Sequence, residues 1–283
     1  MRLILLTLLL LLSLEAKSLF SNDTQTQTSK YVDNLKELII ATQKTRGLTN
    51  SYLNGNTAAM LLVYSSRDDM KQAIGNMESF SLAADPVINA RATKISQALV
   101  KLNHKAFKQN PQKSFSDYTE QIEQTLMLAQ SVNKRFAKDL TPFAKNTSSV
   151  MMEIMLPMTE YTGRLRGFGA GIAAKGKITK KEIENLQVLA YQLQSSNKKL
   201  QEEMTQILSN YSNILPSNIN SELSLINRDV KEYTLLATQD LVSHPEHINA
   251  DTYFNKGTEV ISDIIKAYDT LNKAILEDSK GWF

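Results

Sequence analysis

Apolar residues return every three or four positions from Tyr31 to Leu276, and no segment shows the strict alternation of a strand. That pattern commits the chain to an all-α fold. The first stripe carries Leu35, Leu38, Ile39, Thr42, Thr49 and Leu53; the second carries Met60, Val63, Met70, Ile74 and Met77; the third carries Ile88, Ala92, Ile95, Leu99, Leu102 and Ala106. Asp85-Pro86 separates the second from the third, Asn110-Pro111 closes the third, and Ser116-Asp117 opens a fourth with Tyr118, Ile122, Leu126, Ala129, Val132 and Phe136. Beyond Thr141-Pro142 four more helices are expected, at 147–175, 179–213, 217–242 and 249–276, with Gly176, Pro216 and Pro245 in the gaps. The expected architecture is eight antiparallel helices in two halves, 31–140 and 147–278. They form either two stacked four-helix bundles or one elongated structure whose helices run through both.

Ahead of the helices, Arg2 and the leucine-rich run from Leu3 to Leu14 read as a secretory signal over residues 1–18, with cleavage after Ala16 or Ser18. The run is shorter than the roughly 20 apolar residues a membrane span requires. Residues 19–30 are polar and without period, and are expected to form a flexible leader. The chain has no cysteine, which is commonplace in an oxidising bacterial envelope, so the expected location is the periplasm. A net charge of +3 with both signs interspersed gives no case for nucleic acid as a partner.

Two residues break the apolar stripes. Arg46 lies on the first, four residues after Thr42 and three before Thr49. Arg166 repeats the anomaly 120 positions later, in the row Met151, Met155, Met158, Thr162, Arg166, Gly169, Ala173. A buried cation needs an anion and satisfied hydrogen bonds to offset several kcal/mol of lost hydration. The anion is either an internal carboxylate or a ligand. Gly47 beside Arg46, and Gly167, Gly169 and Gly171 beside Arg166, cost about 1 kcal/mol each in mid-helix. They mark either tight helix packing or room for a compact ligand.

The stretch Gln43-Lys44-Thr45-Arg46-Gly47-Leu48-Thr49-Asn50-Ser51-Tyr52-Leu53-Asn54-Gly55 resembles the first signature of nitrate- and nitrite-sensing (NIT) domains. Gly163-Arg164-Leu165-Arg166-Gly167-Phe168-Gly169-Ala170-Gly171-Ile172, running on to Thr179, resembles the second. The resemblance implies an all-helical sensor that holds nitrate or nitrite through Arg46 and Arg166. The acidic residue common before each motif arginine is replaced here by Thr45 and Leu165, so the arginines are expected to be less internally neutralised. A planar guanidinium fork suits the planar oxygens of nitrate. From stripe positions, Gly47, Gly167, Thr49 and Thr162 are expected beside the ligand, with Thr42 and Tyr161 as further hydroxyl groups. Arg67 and Arg164 are secondary candidates: Arg67 pairs locally with Asp68 or Asp69, and Arg164 pairs with Glu160 one turn earlier.

No catalytic constellation accompanies these residues, and no enzyme activity or cofactor is expected. His244 and His247 fall in a link between helices without a carboxylate-histidine spacing on a helix, so no metal site is assigned to them. The expected role is a non-enzymatic periplasmic sensor of nitrate, nitrite or another small anion. It would report to a membrane histidine kinase or chemoreceptor, with a homodimer as one assembly open to it. Two other readings remain: a bundle that senses small carboxylates such as acetate, succinate or malate, and a ligand-free adaptor whose arginines close internal salt bridges.

Overall fold

A computed structural model describes the backbone of residues 2–279 and the side chains of 26–279 apart from positions 83 and 139. Its helices are α1 (Arg2–Leu53), α2 (Ala59–Ser79), α3 (Pro86–Lys105), α4 (Pro111–Phe136), α5 (Pro142–Val150), α6 (Leu156–Lys175), α7 (Lys180–Tyr211), α8 (Ile219–Leu235), α9 (Leu241–Ser243) and α10 (Ala250–Asp278). A π-helical turn at Met151–Met155 joins α5 to α6, and another at Leu236–Asp240 joins α8 to α9, so ten segments make eight rods. The first π turn sits just before Pro157, whose ring and missing N–H cannot continue a regular ladder. The all-α expectation therefore holds, and no strand occurs among the described residues.

The links are set by capping. Asp85, Asn110, Thr141, Thr179 and Asn249 each accept from a backbone N–H of the following helix, and Thr179 with Glu182 forms a complete capping box. Asn110 caps a helix that starts at Pro111, one turn before the Ser116-Asp117 start expected from sequence. Thr141 likewise starts a rod at Pro142 rather than at 147. Proline costs nothing at a first helical position, where its N–H would have had no partner.

The four-helix halves lie side by side. α1 packs on α2, α4 and α6, while α6 packs on α1, α7 and α10. Gln43 and Arg46 meet Glu160, and Asn50 meets Gly167, so α1 and α6 run parallel at the centre. α4 and α10 flank this pair, each touching both members, and the α2–α3 and α7–α8 hairpins close the two outer sides.

Residues 19–30 lie within α1 rather than in a flexible leader. Thr28 is buried, and Ser29 Oγ donates to Asn272 of α10 at 2.8 Å. The expected signal at residues 1–18 lies outside the residues whose side chains are described. Among the described residues no helix is long and apolar enough to cross a membrane.

Candidate functional site

Among the described residues, the two largest fully buried side chains are Arg46 and Arg166. They occupy equivalent places about a crossing of α1 and α6 at Gly47 and Gly167. A Cβ on Gly167 would stand 2.9 Å from the Gly47 Cα, and one on Gly47 would stand 3.2 Å from the Gly167 Cα. Only glycine permits that approach. Each guanidinium then meets the same two residue types on the helix beside it. Arg46 lies over the Phe115 ring at 4.7 Å and donates from Nη1 to Thr119 Oγ1 at 2.8 Å. Arg166 lies over Phe254 at 4.5 Å and donates from Nη1 to Thr258 Oγ1 at 2.9 Å. Phe115 and Thr119 stand one turn apart on α4, as Phe254 and Thr258 do on α10. Both threonine hydroxyls give their own proton to the phenylalanine carbonyl.

The counter-charges break this symmetry. Glu160, 2 % exposed, takes Arg46 in a two-pronged pair, Oε1 to Nη1 at 2.6 Å and Oε2 to Nη2 at 3.2 Å. Arg164 Nε adds a third donor at 2.8 Å and Gln43 Nε2 a fourth at 3.1 Å, which satisfies the carboxylate. Arg164 pairs as well with Glu123. Arg166 has no such partner: its Nε and Nη2 are buried and make no hydrogen bond. Burial pushes its pKa down from 12.5 to about 10, with the charge of Arg46 acting in the same sense and Tyr233 and Glu160 opposing it. The Tyr233 hydroxyl, also without a hydrogen bond, faces that of Tyr253, which donates to the Leu165 carbonyl.

The Nε–Nη2 edge of a guanidinium carries two parallel N–H groups, the arrangement that grips two oxygens of a planar anion. Two such residues, framed by glycines on α1 and α6, lie in the segments whose sequence resembles that of a sensing family. Residues 37–276 match the profile of the family described as nitrate and nitrite sensing, NIT.

This chain belongs to the NIT family.

The fold is also similar to that of a solved protein described as the NasR transcription antiterminator. The TM-score is 0.63 at 13% identity, over 97% of this chain and 74% of that one. No curated protein matches the chain.

For this NIT chain the expected site residues divide into three groups. Arg46, Gly47, Arg166 and Gly167 come together as the sequence indicated. The expectation of poorly neutralised arginines holds for Arg166 alone, because Arg46 receives Glu160 from the neighbouring helix in place of a carboxylate from its own. Glu160 was foreseen only as the partner of Arg164, which it also is. Thr42 and Thr162 are buried and give their hydroxyl protons to the carbonyls of Leu38 and Met158 one turn back. Thr49 is buried with its hydroxyl unbonded, and Tyr161 is half-buried.

Arg67 forms no ion pair with Asp68 or Asp69; Asp69 pairs instead with Lys44. The Arg67 guanidinium stacks on Phe107 at 4.2 Å, with Nε and Nη2 buried and unbonded. The room beside Gly171 is taken by the Asn50 side chain, which donates to the Gly167 carbonyl at 2.9 Å. It is packing rather than ligand space. The His244, Glu246 and His247 side chains converge to within 4.8 Å in the link before α10, all of them exposed.

The sequence reading missed Phe115, Thr119, Phe254, Thr258 and Tyr233. The first four leave a signal, a phenylalanine four residues before a threonine near the start of each half's last helix. A stripe analysis hides it, because Phe115 preceded the expected start of the fourth helix.

Proposed function

We propose that this protein senses nitrate or nitrite by holding one anion against Arg166, within the site shared with Arg46. The observation that carries the reading is the buried Nε–Nη2 edge of Arg166, a charged fork with two unmatched donors in a chain of the NIT family. A guanidinium buried without a counter-charge costs several kcal/mol, and a planar oxyanion supplies both the charge and the two acceptors. Stacking on Phe254 holds the fork in plane.

Binding joins α6, which carries Arg166, to α10, which carries Thr258 and Phe254. The free energy of the anion is thereby spent on the packing of two helices, the usual means by which a bundle passes on a signal. We take the protein to be exported by its leucine-rich N-terminal segment and to act in the periplasm, reporting to a membrane histidine kinase or chemoreceptor. No catalytic step is part of this reading.

Isothermal titration with nitrate, nitrite, acetate and succinate tests it. Nitrate or nitrite should bind one to one and raise the melting temperature, since a ligand at a hundred times its Kd adds about 2.7 kcal/mol. Preference for acetate or succinate would make the protein a carboxylate sensor, and no heat with any of the four would leave an adaptor bundle. Cell fractionation tests the location: recovery of the unprocessed chain with cytoplasmic proteins would refute the exported role.

A further inference from the structure

The two halves repeat at an offset of 120 residues, Arg46 with Arg166 and Gly47 with Gly167, yet their carboxylates do not repeat. Glu160 sits six residues before Arg166 and reaches across to Arg46. Its counterpart six residues before Arg46 is Ile40. One arginine of the pair therefore carries a built-in anion and the other does not.

From this asymmetry we infer that Glu160 is the specificity-determining residue of the site, an internal planar oxyanion that occupies one of two equivalent forks and so fixes the ligand at a single negative charge. The inference rests on the nitrate- and nitrite-sensing reading above and names the residue that sets the charge of the anion it admits.

The argument is one of charge and of donors. Three guanidiniums, Arg46, Arg164 and Arg166, face two carboxylates, Glu160 and Glu123, which leaves one positive charge to be met. Glu160 has all four of its donors and cannot be drawn off Arg46 without leaving a buried charge unpaired. It precedes Arg166 by six residues on the same helix, about 9 Å along the axis, so its charge bears on the Arg166 end of the site. A monoanion on Arg166 completes neutrality. A dianion of similar shape, such as sulfate, would bring a second negative charge into a buried site that already holds the Glu160 carboxylate, with no cation left to meet it. Were Glu160 only a packing element, an apolar residue would serve as well, since a buried ion pair is not in itself a source of stability.

Titration with nitrate and with sulfate distinguishes the outcomes. The wild type should prefer nitrate by at least about 100-fold, because the surplus charge is buried. Glu160→Gln frees one unit of positive charge, and the preference should collapse to about tenfold or less through a gain in sulfate affinity. Ile40→Glu supplies the missing carboxylate to Arg166, and should lose nitrate by at least about 100-fold while its helical spectrum persists. If Glu160→Gln does not fold, Ile40→Glu carries the test, because it adds the missing carboxylate while Arg46, Arg166 and Glu160 stay in place. Comparable affinity of the wild type for the two anions overturns the inference and leaves anion sensing intact. An unchanged preference in Glu160→Gln, or an unchanged nitrate affinity in Ile40→Glu, overturns it as well. Binding of neither anion by the wild type refutes the parent reading, and this one with it.

Discussion

Arg46 and Arg166 share burial, a phenylalanine face and a threonine acceptor, but they differ in what their removal leaves behind. Arg46→Ala takes two of the four donors from Glu160 and leaves the buried carboxylate to Arg164 and Gln43, and a loss of about 1–3 kcal/mol in stability is expected from chemical denaturation. Arg166→Met strands nothing and relieves an uncompensated charge. The ligand-free variant should be as stable as the wild type or about 1–3 kcal/mol more so, and should bind no nitrate. Arg166→Lys keeps the charge and loses the fork, so nitrate binding should weaken by at least about 2 kcal/mol in calorimetry. Equal destabilisation by Arg46→Ala and Arg166→Met would mean that the two cations are alike, contrary to the geometry. The arginines themselves were legible in the sequence, because a cation on an apolar stripe is out of pattern wherever it occurs. The identity of their partners was not: Glu160 lies 114 positions from Arg46, and contacts across helices depend on which helices adjoin.

At the scale of helices, the crossing of α1 and α6 is the tightest constraint. A methyl group at residue 167 would press on the Gly47 backbone, and one at residue 47 would press first on the Phe254 ring and then on the Gly167 backbone. Gly167→Ala should cost about 1–3 kcal/mol in unfolding experiments and weaken nitrate binding as the two helices part. Between α8 and α10, Asp263 lies against Asp229, and burial followed by that neighbouring charge raises its pKa from 3.8 to about 6. A carboxyl with a raised folded pKa favours folding at low pH, and that advantage is lost as pH rises from about 4 through 6. Asp263→Asn should therefore raise stability at pH 7.5 by about 1 kcal/mol, after allowance for solvent screening, and leave it nearly unchanged at pH 4. Melting curves at the two pH values check both arms. Helix existence and order were readable from periodicity, whereas the helix starts at Pro111 and Pro142 were not. Proline after asparagine or threonine serves as a stop and as a start alike, and only the capping bonds show which.

For the molecule as a whole, the coupling of charge to ligand predicts a pH limit. Arg166 must be protonated to hold an anion, and its pKa in the free protein is held to about 10. Nitrate affinity measured by calorimetry should be level from about pH 7 to 9 and fall above about 10, by up to tenfold per unit. A decline that begins near pH 7 would point to a different titrating group. The side-by-side arrangement of the halves could not be read from the stripes, since a stripe records that a face is covered and not by which helix.

The bare contact at Gly47 and Gly167 has one more consequence. Most helix pairs interlock like gear teeth, and to move one past the other a side chain must leave its groove. Here, where α1 and α6 touch, there are no teeth. At the two glycines alone the rods meet as bare shafts, and the side chains on either side, Gln43 against Gly163 and Asn50 against Gly171, decide where the shafts rest. One grip, Arg46 with Glu160, is closed between α1 and α6 in the structure; in the reading proposed above the other, Arg166, closes between α6 and α10 on an anion. On that reading, a bearing held by one fixed clamp and one conditional clamp works as a mechanical switch.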